Sequence, residues 1–335
     1  MRPSKRPASE GSDVTQPEQQ LTVEQRGPAA SPVVQPAADS SFAAQLFAKH
    51  GRLLMLSSAF FYGAMAVAAR SVSGKLGAAQ IAFIRFAIGL ACVLAIRAWR
   101  PQAVTWTRPR LLVWRGLFGG AAVLLYFVAI KHLGAGLATN LNYTFPIWAA
   151  IFASFTLGES LSARVVTGMV VSTAGLFLAV GPEQLGRVVT GLGDAQHRWA
   201  LVAGIVSSLF GGAATTIIRA LRRTDSAMAV FGAFCLFGAL LCLPFALADW
   251  RPIDLELAAG LFLVGGFSFC AQSLFTFSLG YVSAAAGAAM AQLTVVTSYA
   301  LAAVLLGELP PTHGLLGGGV VIVGVLIASL KGTGR

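Results

Sequence analysis

Seven side chains in this 335-residue sequence are of types and at places that suit holding a small polar molecule: Tyr62, Arg85, Asn140, Tyr143, Gln272, Gln292 and Tyr299. Arg85 stands about five residues into an apolar run, roughly 7 to 8 Å deep at a rise of about 1.5 Å per residue. A cation in hydrocarbon is costly without an anion or a wet cavity. Arg85 therefore reads either as the cation of a binding site, suited to a carboxylate, or as a long side chain snorkelling to the interface. Asn140 and Tyr143 are three residues apart, on one helical face with Gly136, Ile147 and Ala150. Gln292 and Tyr299 make a second polar and aromatic face, with Ala285, Ala289 and Val296. Amide and phenol groups can orient a polar solute while rings bury its apolar part. The same groups also serve plain interhelical hydrogen bonds, worth about 0.6 kcal/mol each. Tyr62 and Gln272 lie near the middle of their own runs and offer further walls.

Bond-making chemistry has no comparable set. All thirteen Asp and Glu residues fall outside the long apolar runs, and His50, His132, His197 and His313 fall at run ends or in loops. Cys92, Cys235, Cys242 and Cys270 lie within runs, with no CxxC and no histidine at ligand spacing, and read as small core hydrophobes. A membrane enzyme would need a nucleophile, an acid/base pair or a metal cluster at depth. The expectation is a protein with no catalytic residues, no metal and no cofactor, and with no intramembrane carboxylate to mark a coupling ion.

The elements that carry these residues are set by composition. The chain is 56% hydrophobic and only 11% charged, with a mean hydropathy of +0.74, against about 25% charged in ordinary soluble domains. Such a surface belongs in lipid. A crossing helix needs about 20 apolar residues, and candidate runs fall near 53–69, 81–96, 112–130, 135–157, 165–180, 200–218, 227–248, 257–279, 282–306 and 314–330, the second and fifth of them short. The net charge of +11 is distributed in short clusters between runs, which points to topology rather than nucleic acid. With the N-terminus inside, seventeen Lys and Arg, Arg115 among them, are assigned to the cytoplasmic side, six to the other, and Arg85 alone to a span. That bias places both termini in the cytoplasm of an inner-membrane protein. Residues 1–48, rich in Pro, Ser, Ala and Gln, read as a disordered tail with no signal-peptide core.

One offset relates the two halves. A shift of 149 residues superposes Phe61 on Phe210, Gly63 on Gly212, Arg70 on Arg219, Gly158-Glu159 on Gly307-Glu308, Gly168 on Gly317 and Gly175 on Gly324. Five spans per repeat, an odd number, make the second insert upside down. The fold class expected is thus an all-α integral membrane protein, ten transmembrane helices as two inverted five-helix repeats, at 49–182 and 199–331, joined by a loop at 183–198. Inverted repeats of this kind place a binding site near the midplane.

AAQIAFIRFAIGL in the second span, AIKHLGAGLATNLNYTFPIWAAIFASFTLGESLSARVVTGMVVSTAGLFL across the fourth and fifth, and SLGYVSAAAGAAMAQLTVVTSYALAAVLLGELPPTHGLLGGGVVIVGVL across the ninth and tenth resemble the EamA-type members of the drug/metabolite transporter superfamily. The resemblance covers residues 50 to 330 and implies ten helices and movement of metabolites, without fixing direction. A departure is that Pro146 faces Val295, so the mid-helix proline occurs once; it can serve as a hinge or a static kink and frees a backbone carbonyl. Glu159 and Glu308 read as capping groups for the helix that follows each. The partners expected are a small-molecule substrate and the lipid bilayer, with no nucleic acid; the oligomeric state is not legible. A flippase for a lipid-linked substrate is the alternative, distinguished by a polar groove open sideways to lipid.

Overall fold

The structure, a computed structural model, describes residues 50–104, 106–133, 135–182, 186, 195–307, 309 and 311–329. The expectations for the tail at 1–48, most of the 183–198 connection, Glu308, Lys331 and Arg335 lie outside the described residues.

The apolar runs form helices α1 (Gly51–Ser73), α2 (Ala78–Trp99), α3 (Pro109–Leu133), α4 (Ala135–Asn142), α5 (Phe145–Leu157), α6 (Ala163–Val180), α7 (Ala195–Leu221), α8 (Ala227–Ala248), α9 (Leu255–Ser278), α10 (Ala284–Ala291), α11 (Leu293–Leu306) and α12 (Thr312–Ser329). Several starts are fixed by a side chain that accepts from an otherwise unpaired amide: Ser162 from Val165, Ser226 from Ala229, Asp254 from Leu257 and Ser283 from Ala286. Helices α5 and α11 stop at Gly158 and Gly307, with φ of 63° and 68°. Glycine enters this left-handed region at little cost, which accounts for the repeated Gly of the Gly-Glu pairs. Among the described residues nine segments are long and apolar enough to cross a membrane. Helix α2, expected to be short, has 22 residues; its start reaches back over Ala78, Ala79 and Gln80.

The fourth and ninth runs, expected to be continuous helices, are each broken in mid-course. Between α4 and α5, Thr144 N–H bonds Leu141 C=O, and Ile147 N–H bonds Thr144 C=O rather than that of Tyr143. Pro146 lacks an N–H and sits at the start of α5, so the ladder cannot close across it. The ninth run breaks at Gln292 without a proline: Gln292 N–H bonds Ala289 C=O, and Val295 N–H bonds Gln292 C=O. Asn140 and Tyr143 therefore do not share one continuous face with Ile147 and Ala150. Tyr143 and Gln292, 149 residues apart, are the two break points, and Gln292 Nε2 donates to the freed Tyr143 carbonyl at 3.0 Å.

Packing between the halves comes in exchanged pairs under the same offset. A Cβ on Gly63 would strike Thr297 and the backbone of Ser298; one on Gly212 would strike Trp148 and the backbone of Ala149. Trp148 Nε1 donates to Ser208 Oγ at 3.1 Å, and Thr297 Oγ1 donates to the Ala59 carbonyl at 3.0 Å; these four positions are again related by 149. Helices α6 and α12 run antiparallel in backbone contact, Gly168 against Gly324 and Gly175 against Gly317. Such reciprocal contacts, in which i meets j and j's counterpart meets i's, are what an approximate two-fold relation produces.

The loops gather at two ends. At one, Arg52 Nη1 donates to the Ser329 carbonyl, and Asp225 Oδ1 accepts from the Thr107 and Arg108 amides. At the other, Gln80 exchanges hydrogen bonds with the Arg251 backbone, and Lys75 pairs with Glu256. The two ends of the described chain thus lie on the same side of the bundle.

Glu159 departs from expectation. Ser162 caps α6, while Glu159 turns to the other half: Oε1 accepts from Arg219 Nε at 2.8 Å and Oε2 from the Ala284 amide at 3.0 Å. Arg219 Nη1 also donates to the Leu279 and Gly280 carbonyls. The carboxylate is a cap, but of α10, where the first free amides and the helix dipole favour it.

Candidate functional site

Buried polar groups collect where α1, α2, α3, α8 and α9 meet. Arg85 lies seven residues into α2, about 10 Å along the helix at the usual rise, and its residue is 6% exposed. The surface-snorkelling reading does not match that burial. Its guanidinium carbon lies 5.2 Å from the centre of the Phe86 ring and 5.9 Å from that of Phe234.

Arg115 comes to the same ring from α3, 4.1 Å from the centre of Phe234, and is 2% exposed. Sequence reading placed Arg115 with the cytoplasmic loops and made Arg85 the only charge inside a span. The structure corrects both statements, because α3 begins at Pro109 and carries Arg115 six residues inward. The signal was present, since Arg115 falls within the apolar run 112–130. The cytoplasmic tally falls from seventeen to sixteen.

Tyr62 on α1 and Gln272 on α9 are joined directly: the Tyr62 hydroxyl donates to Gln272 Oε1 at 2.5 Å. Gln272 Nε2 lies 3.5 Å from Thr276 Oγ1, and the Tyr62 ring meets Phe275 edge-on. Tyr62 is within electrostatic reach of both arginines. Tyr126, which sequence reading also passed over, shares a hydrogen bond of 2.8 Å with Thr139 and interacts with Arg85. Tyr143, at the α4–α5 break, lies within electrostatic range of Tyr62, Tyr126 and Arg85.

The remaining expected residues are placed differently. Asn140 on α4 is 1% exposed. Gln292 is fully buried and its amide is occupied by protein: Nε2 donates to the Tyr143 carbonyl and to Thr173 Oγ1 at 3.1 Å, and Oε1 accepts from Ser172 Oγ. Tyr299 is half-buried on α11 and packs on the same apolar core as Tyr62 and Tyr143. The structure thus brings Tyr62, Arg85, Gln272 and Tyr143 together, and puts Gln292 in the seam between α5, α6 and α10.

The walls around the arginines are apolar. Phe86, Phe127, Phe231, Phe234, Cys235 and Cys242 form one buried cluster. Among the described residues no three His, Cys, Asp or Glu side chains are grouped as a metal site. The arrangement offers cations, hydroxyls and an amide in a water-poor setting, which is recognition chemistry rather than nucleophilic or acid/base chemistry.

Two segments of the sequence, 49–181 and 198–330, each match the model of the EamA-like transporter family. The chain belongs to that family. It is a transporter and a membrane protein, and the two matched segments coincide with the two halves that exchange contacts. Among its relatives, the pseudopaline exporter CntI of Pseudomonas aeruginosa is 25% identical over 285 residues, covering 84% of this chain and 96% of CntI. A probable terminal-alkyne amino-acid exporter of Streptantibioticus cattleyicolor is 26% identical over 275 residues, covering 77% and 86%. The uncharacterized inner membrane transporter YhbE of Escherichia coli is 26% identical over 163 residues, covering 46% and 49%. A protein crystal structure, 19% identical, superposes with a TM-score of 0.67 over 84% of this chain and 97% of its own, and so shares the fold described above.

Proposed function

We propose that this protein is a secondary transporter that moves a small organic solute, amino acid-like or of similar size, across the inner membrane by alternating access. The observation that carries the reading is the group made by buried Arg85 and Gln272 with half-buried Tyr62 and Tyr143, the last at a helix break. Broken helices beside a midplane site are a recurrent feature of such carriers. Ten crossings in two inverted repeats, the second upside down, are supported by the antiparallel α6–α12 seam and the exchanged glycine contacts. The two halves rock against each other across that seam. Two full-length relatives carry exporter names, which favours outward movement, and the relative named as an inner membrane transporter favours that membrane.

In this reading Tyr62, Arg85 and Gln272 touch the solute, Asn140 and Tyr299 flank it, and Tyr143 and Gln292 hold the two breaks in register. Both termini face the cytoplasm. The test is solute flux in liposomes containing the purified protein, over labelled amino acids and metabolites, with fluorescent lipid as a parallel probe. Saturable solute flux lost in Tyr62→Phe and Gln272→Ala, while both remain folded, is the expected result. Lipid crossing between leaflets with no solute flux would replace this reading with a flippase.

A further inference from the structure

Arg85 and Arg115 form a pair of buried cations with no anion beside them among the described residues. Arg85 Nε, Arg115 Nε and Arg115 Nη1 are shielded from solvent and make no hydrogen bond among the described residues. Five carboxylates are described, and each is engaged at an end of the bundle. Glu159 holds Arg219 and the α10 amide; Asp225 holds the Thr107 and Arg108 amides. Asp249 pairs with Arg251, Asp254 caps α9, and Glu256 pairs with Lys75. Among the described residues both arginines lie against ring faces, chiefly Phe234 between them. Cation–π contact offsets only part of the cost of holding an arginine inside a membrane helix. Two like charges near one ring add repulsion. A fold does not gain from such a pair unless something negative arrives to complete it.

The 149-residue offset strengthens the point. Arg85 corresponds to Phe234, Arg115 to Val264, Tyr62 to Gly211 and Gln272 to Val123. Each of these four polar residues has an apolar or side-chain-free counterpart, so repeat packing does not require them. They occur once, together, and beside the proposed solute path.

We propose that Arg85 and Arg115 form the anion subsite of the transporter, and that the solute it takes bears carboxylate charge. A guanidinium presents parallel N–H donors that match the two oxygens of a carboxylate. Phe234 sets the spacing of the two forks, and the Tyr62–Gln272 pair supplies neutral hydrogen bonding for the rest of the solute. With two cations to satisfy, solutes of two negative charges bind more tightly than those of one. The proposal rests on the transport reading for the path but not for binding, and the two can fail separately.

The test is thermal unfolding of the purified full-length protein in detergent, titrated with a panel of mono- and dicarboxylates, each beside its own methyl ester, and with inorganic phosphate and sulfate. At least one acid is expected to raise the unfolding temperature while its ester does not, with the midpoint concentration raised at least tenfold in Arg85→Gln and in Arg115→Gln. Ligand-free, both variants unfold at or above the parent temperature, since each removes an uncompensated charge. Arg115→Lys keeps the charge without the fork and recovers part of the affinity. Stabilisation by phosphate or sulfate but by no carboxylate overturns the assignment. So does an equal effect of acids and esters, or a ligand-free loss of stability in both Gln variants, which would make the arginines structural. Carboxylate binding without flux in liposomes leaves the subsite standing and defeats the transport reading; flux of neutral or cationic solutes without carboxylate binding does the reverse.

Discussion

The Tyr143–Gln292 junction and the Arg85–Arg115 cluster both bury polar groups inside the same bundle, yet they treat the internal repeat in opposite ways. At the junction the two equivalent positions bond to each other, Gln292 Nε2 to the Tyr143 carbonyl at 3.0 Å, and neighbouring contacts recur at positions 149 residues apart. Every donor and acceptor of the Gln292 amide has a protein partner. In the cluster the repeat is broken at each polar position, and three buried guanidinium nitrogens have no hydrogen-bond partner among the described residues. The satisfied, repeated region has the character of a scaffold. The unsatisfied, unrepeated region is the one proposed as the binding site, its missing partner to be supplied by the solute.

Substitutions can break this division, and the largest effect is expected at the seam. Gly324→Leu would drive a side chain into the backbone of α6 at Gly168 and Ser172; because close-packed interiors do not yield to such overlap, folded protein should be lost on size-exclusion chromatography. Next, Gln292→Leu removes three hydrogen bonds and leaves the part-buried Tyr143 carbonyl without its donor. A cost of about 1–3 kcal/mol is expected, measured by unfolding in detergent, with the break between α10 and α11 reset toward a continuous helix. Glu159→Gln weakens both the Arg219 pair and the α10 cap, and about 1 kcal/mol should be lost by the same measurement; the double variant with Arg219→Gln should cost less than the sum of the two singles, because the two share the ion pair. Smallest on stability, Arg85→Gln should leave the fold intact while abolishing carboxylate-dependent stabilisation. A reversed order, with Gln292 tolerant and the arginine variants unfolded, would dissolve the distinction between scaffold and site.

Much of this organisation was legible in the residues. The apolar runs set the helices, because length and apolar content alone decide what can cross hydrocarbon. The 149 offset was visible through Gly158-Glu159 and Gly307-Glu308, and the structure gives that match a cause in two left-handed helix stops. Tyr62 and Gln272 were named separately, and only the fold brings them to 2.5 Å. What stayed hidden depends on tertiary partners. The break at Gln292 has no proline to announce it; it forms where the side-chain amide can bind three groups from other helices. Arg115 was assigned to a loop because a basic residue near a run's start resembles an interfacial anchor, and its burial follows from α3 starting at Pro109 and from Phe234 arriving from α8. Glu159 caps a helix, but one 125 residues away in sequence, which no local motif specifies.

The division between scaffold and site is tested most directly by determining the structure of the protein with a transported solute bound. The solute should lie against Arg85, Arg115 and the Tyr62–Gln272 pair, with the Tyr143–Gln292 bond intact beside it. A solute seated on the Gln292 amide in place of the Tyr143 carbonyl, with neither arginine in reach, would contradict the account.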